Sequence, residues 1–107
     1  MNEIANASFD HEVLEADLPV LVDFYGTCCP PCRALAPLLD ELAGELEGRA
    51  KIVKVNVATE ESLSRDFEIA AIPTLIVFER GRVVARMLGV QSKERLREAL
   101  SLKSDSQ

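Results

Sequence analysis

Three cysteines, one histidine and no tryptophan leave this 107-residue chain with a small stock of reactive side chains. Three cysteines are too few to scaffold a small domain through disulfides, so a core of Leu, Val, Ile and Phe has to supply most of the stability. Any disulfide is then chemical in purpose. A closed zinc site needs about four ligands, and the only histidine, His11, falls on a predicted helix away from the cysteines. His11 reads as a solvated helix residue, and no metal site is expected. Basic residues are also short: 12 Lys and Arg against 18 Asp and Glu give a net charge of -6, which disfavours nonspecific binding to nucleic acid or to an anionic membrane. No segment approaches the roughly 20 apolar residues of a membrane span. The opening MNEIANASFDHEVLEADLP lacks a basic stretch followed by the apolar run of roughly 7 to 15 residues that marks a secretory leader. The expectation is a cytoplasmic protein.

What is present is alternation. The length and 48% hydrophobic content suit one domain over residues 1–107. SFDHEVLEA, residues 8–16, sets Phe9, Val13, Leu14 and Ala16 at helical spacing. PVLVDFY, residues 19–25, is a nearly continuous β-branched and aromatic run, as for a strand buried on both faces, with Asp23 in its middle. From Pro31 to about Leu46 a second helix repeats Leu35, Leu38, Leu39, Leu42 and Leu46, with Pro37 expected to kink it. KIVKVNV, residues 51–57, alternates as a strand, and Thr59 is placed to cap a short helix reaching Phe67. TLIVFE and RVVARML flank Arg80-Gly81 as a hairpin, and Ser92 is placed to cap a final helix carrying Leu96, Ala99, Leu100 and Leu102. A frayed tail is expected over 103–107. The order implies an α/β fold: a central mixed sheet between helices, closed by a hairpin and a last helix.

All the cysteines lie in TCCPPCRAL, residues 27–35, where the buried strand gives way to the long helix. Adjacent α-carbons are 3.8 Å apart, below the usual disulfide range of about 4.4 to 6.8 Å, which disfavours Cys28 with Cys29. Residues three apart across a first helical turn fall inside that range, so Cys29 and Cys32 are the expected pair. A helix N-terminus presents unpaired amides and the positive end of the macrodipole, and both favour a thiolate, here on Cys29. Each proline biases its predecessor toward extended backbone, so Cys29 and Pro30 are expected outside the helix and Pro31 near its first position. Pro30 acts on redox poise in two opposed ways. It stiffens the loop, which favours the closed disulfide, and it removes an amide that would stabilise the thiolate.

Taken in order, VLVDFY, CPPC, RALAPLLDELA with its internal proline, IPTLIVFERG and LGV resemble the thioredoxin family over almost the whole chain. The resemblance implies a thioredoxin fold and a protein thiol-disulfide oxidoreductase. Cys29 corresponds to the exposed attacking cysteine and Cys32 to the buried resolving one. Asp23 corresponds to a buried carboxylate that accepts the Cys32 proton, and Lys54 to a lysine near it. Ile72-Pro73 corresponds to a loop with a cis proline facing the disulfide, where the Ile72 backbone pairs with substrate, and Gly89 to a glycine that admits substrate closely. The same likeness implies disulfide-containing protein substrates, a flavin- and NADPH-dependent thioredoxin reductase as electron donor, no cofactor held by the chain itself, and a monomer.

The chain also departs from the family pattern. Cys28 stands where a tryptophan usually precedes the attacking cysteine, Tyr25 where another aromatic, often tryptophan, is common, and Pro30 where glycine is usual. NEIANA is short and polar for the first strand, so that strand is expected to be reduced or missing. Cys28 reads either as a small surface filler at the substrate face or as a site of oxidation, glutathionylation or intermolecular pairing. Asp23 has a purely structural alternative. Two other functions compete: an oxidase or isomerase of an oxidising compartment, and a thioredoxin-fold binding module whose thiols are incidental.

Overall fold

The computed structural model describes residues 1–105, with side chains described through Leu100. Its elements are β1 (Asn2–Glu3), α1 (Asn6–Phe9) running into a π-helical turn (Asp10–Leu14), β2 (Val20–Tyr25), α2 (Pro30–Glu45), β3 (Lys51–Asn56), α3 (Glu61–Asp66), β4 (Thr74–Glu79), β5 (Arg82–Leu88) and α4 (Lys93–Asp105). The strands form one sheet in the order β1-β3-β2-β4-β5. β2 lies at its centre, parallel to β3 and antiparallel to β4. A central strand covered on both sides needs apolar residues in both phases, which explains the unbroken VLV-F run.

Period-two alternation divides the core into two layers. Leu21, Ile52, Leu75 and Val77 meet Leu35, Leu39 and Leu42 of α2 and Leu96 and Leu100 of α4. Val20, Val22, Phe24, Val53, Val55, Ile76 and Phe78 meet Phe9, Val13 and Leu63 on the opposite face. There Phe67 lies 5.3 Å from Phe78 and 5.4 Å from Phe9 between ring centroids, in tilted and edge-on arrangements favoured by aromatic quadrupoles. Asp23 falls in the phase of Leu21, so its carboxyl is directed to the face that α2 covers.

Several boundaries differ from those read in the sequence. The first helix begins at Asn6 and ends at Leu14, two residues ahead of the expected 8–16. Its second half is π-wound, with the Glu15 amide donating to Asp10 five residues back at 2.9 Å, and this winding still buries both Phe9 and Val13. α2 begins at Pro30, with Pro31 second, rather than at Pro31. Both rings already have a helical φ, and both sit in the first turn, where a missing amide removes no intrahelical bond. α2 continues as one helix through Pro37 to Glu45. Thr59 does not cap α3: its hydroxyl donates to the Asn56 carbonyl at 3.4 Å, and Glu60 holds the cap position without a side-chain bond.

Other expectations match. β1 is two residues long, pairing Asn2 with Val53 and Glu3 with Lys54. The hairpin strands coincide with the sequence reading, and Arg80 and Gly81 take φ of 52° and 81°, as a tight two-residue turn with right-handed strand twist requires. The Arg95 amide donates to Ser92 Oγ at 3.1 Å, capping α4. That helix runs to Asp105, so the tail expected over 103–107 begins as helix. Residues 106 and 107, and the side chain of Leu102, lie outside the described residues. His11 is exposed and pairs with Glu15 at 3.5 Å.

Candidate active site

β2 ends at Tyr25 and the chain reaches the start of α2 in four residues, Gly26 to Cys29. Cys29 is the N-cap, extended at φ -139° and ψ 96°, and the Cys32 amide donates to its Sγ at 3.2 Å. A side chain at this position sits where the first-turn amides have no helical acceptor. Cys29 and Cys32 form a disulfide with α-carbons 5.2 Å apart, and Cys28 is left free and exposed. Exposure does not separate the two bonded cysteines as the family likeness implied, because each is 5% exposed. Their surroundings do. Cys32 lines a cavity of about 220 Å³ together with Asp23, Tyr25, Arg33 and Lys54, and Cys29 does not.

Asp23 is 2% exposed, and its Oδ1 has no hydrogen-bond partner among the described residues. Burial raises its pKa from 3.8 to about 7, against the opposing charge of Lys54. Asp23 and Lys54 are register partners on β2 and β3, so they share a face. The Lys54 ammonium lies 5.3 Å from the centroid of the Tyr25 ring. A buried carboxyl near neutrality that shares a cavity with a cysteine is suited to exchange a proton at physiological pH.

The Ile72-Pro73 peptide is cis. Thr74 follows fully buried, and its hydroxyl donates to the Ala71 carbonyl at 2.6 Å, bracketing the bend. The Gly89 amide donates to the Pro73 carbonyl at 2.8 Å, joining this loop to the end of β5. Gly89 has φ 77°, a left-handed conformation that disfavours a Cβ. Ile72, Leu88 and Val90 remain 37%, 62% and 49% exposed, an apolar surface along the joined loops. A Cβ placed on Gly26 would lie 2.5 Å from Ile72 Cδ1, so the loop before the cysteines and the cis-proline loop meet there.

A disulfide at a helix start, a buried carboxyl sharing a cavity with one of its cysteines and a cis-proline loop thus belong to one chain. The thioredoxin family model matches residues 1–102. The chain belongs to the thioredoxin family. It is 40% identical over 95 residues to a thioredoxin of Rickettsia felis, covering 89% of this chain and 90% of the relative. It is 42% identical over 93 residues to a thioredoxin of Haemophilus influenzae, covering 87% of each. A bifunctional thioredoxin reductase/thioredoxin of Mycobacterium leprae is 40% identical over 99 residues, 92% of this chain and 22% of that protein. With its Cys29–Cys32 disulfide, this thioredoxin-fold chain is a thiol-disulfide oxidoreductase.

The structure gathers Cys29, Cys32, Pro30 and Pro31 at one helix end, brings Asp23 and Lys54 to a cavity that Cys32 also lines, and bonds Gly89 to Pro73. Sequence reasoning missed Gly26, Arg33 and the exposed pair Leu88 and Val90. Gly26, directly after a buried strand and before the cysteines, carried a signal, since a glycine there indicates a close approach of another segment. Among the described residues no helix is long and apolar enough to cross a membrane, and no group of three or more His, Cys, Asp and Glu is placed to hold a metal ion.

Proposed function

We propose that residues 1–107 act as one domain that reduces disulfides in other proteins. The Cys29 thiolate attacks one sulfur of a substrate disulfide, breaking that bond and releasing one substrate thiolate, which takes up a proton. The new bond is a mixed disulfide on Cys29. Cys32 then gives its proton to the Asp23 carboxylate, and its thiolate attacks Cys29 Sγ. This step closes the Cys29–Cys32 disulfide and releases the second substrate thiol. Two electrons pass to the substrate. The observation that carries this reading is that Cys32, but not Cys29, shares a cavity with a carboxyl titrating near 7.

The remaining assignments follow from this cycle. Ile72 would offer its backbone to an extended substrate segment, with Pro73, Gly89 and Cys28 forming the adjoining contact surface and Cys28 replacing the usual tryptophan. Pro30 and Pro31 fix the helix start. Lys54 offsets the burial of Asp23. The spent disulfide is returned to dithiol by a flavin- and NADPH-dependent thioredoxin reductase in the cytoplasm, a pairing supported by the relative whose name joins the two activities. The domain holds no cofactor and works as a monomer.

The test is insulin reduction with a chemical reductant, comparing wild type with Cys29→Ser, Cys32→Ser and the double variant, alongside the reduction potential. Faster turnover by wild type and a potential at or below the cytosolic glutathione poise of roughly -220 to -320 mV support a reductant. Wild-type turnover no faster than the double variant would point to a binding module. A potential well above that poise would point to an oxidase or isomerase.

A further inference from the structure

Three strands place a row of charges across one face of the sheet. Glu3 of β1 is the register partner of Lys54, and Lys54 that of Asp23. Tyr25 lies two residues beyond Asp23 on the same strand, so it points to the same face. The Lys54 ammonium sits 5.3 Å from the centroid of the Tyr25 ring. The negative face of an aromatic ring attracts a cation, by about 0.5 to 1 kcal/mol where water has access and more where it is excluded. The Tyr25 hydroxyl is itself held: burial raises its pKa first, then hydrogen bonding to the Glu3 side chain and the Glu3 charge, while hydrogen bonding with Asn56 opposes them. Tyr25, Lys54 and Asp23 all line the cavity that Cys32 also lines.

We infer that Tyr25 is a positioning residue for the resolving half of the reaction: its ring holds the Lys54 ammonium at the wall of the cavity shared by Asp23 and Cys32. This rests on the assignment of Asp23 as proton acceptor. A lysine stem has four rotatable carbons, and a solvated ammonium loses most of its influence on a buried charge. Lys54 makes no contact ion pair among the described residues, so the ring is what keeps its charge close to Asp23. The other charged or titratable groups around Asp23 are Cys32 and Arg33 from α2, Glu3 from β1 and the Met1 amine, which is paired with Asp40 at 3.3 Å. From β4 the facing partner is Leu75, which carries no charge.

Removing the ring should release the ammonium and raise the Asp23 midpoint. Keeping the ring without its hydroxyl should not. The experiment follows the Asp23 carboxyl by carbon NMR across pH in the reduced protein, for wild type, Tyr25→Phe, Tyr25→Leu, Lys54→Met and Tyr25→Leu with Lys54→Met. Tyr25→Leu is expected to move the midpoint up by roughly half a pH unit, Tyr25→Phe to leave it near wild type, and Tyr25→Leu to add nothing once Lys54 is Met. An equal effect of Tyr25→Leu in the Lys54→Met background would overturn the inference, because the ring would then act through burial alone. So would a Tyr25→Phe shift as large as that of Tyr25→Leu. Should Tyr25→Leu fail to fold, the wild-type protein still decides: ring-current displacement of the Lys54 ε-methylene protons is expected, and its absence would count against the contact. The carboxyl titration is independent of turnover, so an inactive wild type would refute the reductase reading while this test still returned its answer.

Discussion

The amide of Cys32 donates to the sulfur of Cys29 at 3.2 Å, so the helix that carries one cysteine solvates the sulfur of the other. Pro30 and Pro31 occupy the two intervening positions and supply no donors. The Cys32 amide is thus the first one α2 can offer to a charged sulfur. Together with the positive helix end it should lower the pKa of the reduced Cys29 thiol below the ordinary value of about 8.5. Alkylation of the reduced protein by iodoacetamide across pH, with the modified residue located by mass spectrometry, should give a Cys29 midpoint below that value. A midpoint at or above it would mean that burial outweighs the helix end.

Asp23 should make the stability of the protein depend on pH with a sign opposite to that of a salt-bridged carboxylate. Its folded pKa is raised, from 3.8 to about 7, chiefly by burial. Below about pH 4 the carboxyl is protonated in both states and imposes no penalty. As pH rises through about 7 the unfolded chain has already released the proton that the folded protein retains, so stability falls and stays lower above that range. A pKa moved from 3.8 to about 7 corresponds, at about 1.4 kcal/mol per pH unit, to a ceiling of roughly 4 kcal/mol. Asp23→Asn should therefore raise the denaturant midpoint of the oxidised protein at pH 8 and lose that advantage near pH 4. Equal gains at both pH values would show that shape rather than charge is responsible. On the proposed mechanism the same substitution should also slow insulin reduction, since it removes the group proposed to accept the Cys32 proton.

Where the sequence was legible, one short-range rule sufficed. The hairpin was readable because Arg80-Gly81 stands between two β-rich runs, and α4 because Ser92 precedes an amphipathic pattern. The cysteine pair was readable because spacing disfavoured the adjacent pair and set Cys29 and Cys32 within disulfide range. Thr59 misled because α3 starts one residue later than its position requires: Glu60 holds the cap position, and the Thr59 hydroxyl donates back to the Asn56 carbonyl at the end of β3. The π-helical turn carries no distinct signature, since Phe9 and Val13 are four apart in either winding. The surface proposed to face substrate was only partly visible. Ile72 and Gly89 lie 17 residues apart in sequence, and the end of the β4–β5 ladder, with Thr74 opposite Leu88 and the bond from Gly89 to Pro73, brings their segments together. The equal burial of Cys29 and Cys32 was not readable at all, because it depends on how closely the loops before and opposite α2 approach.

Cys32→Ser should trap substrates. With Cys32, the proposed resolving sulfur, gone, the one thiol left near a mixed disulfide on Cys29 is Cys28, whose adjacency disfavours disulfide closure, and decay falls mainly to external thiols. Incubation with a disulfide-containing protein, quenching with acid and peptide mapping should place the adduct on Cys29, with Cys29→Ser/Cys32→Ser giving none above background. Cys28 is exposed and free, which makes it the competing site. Adducts on Cys28 that persist in the double variant would reassign the attacking residue.

Gly26→Ala should separate substrate binding from stability. The added Cβ would lie 2.5 Å from Cδ1 of Ile72, the far end of a flexible side chain that is 37% exposed. Ile72 has room to turn outward, so the loss of stability should stay within about 1 kcal/mol. Gly26 has no positive φ, and alanine meets no backbone strain there. Turning Ile72 outward, however, reshapes the apolar surface beside Pro73 against which a substrate segment would lie. Thermal unfolding close to wild type, with KM for insulin raised severalfold and kcat little changed, is the expected pattern. A fall in kcat at unchanged KM would mean that Gly26 acts on the cysteines rather than on the substrate surface.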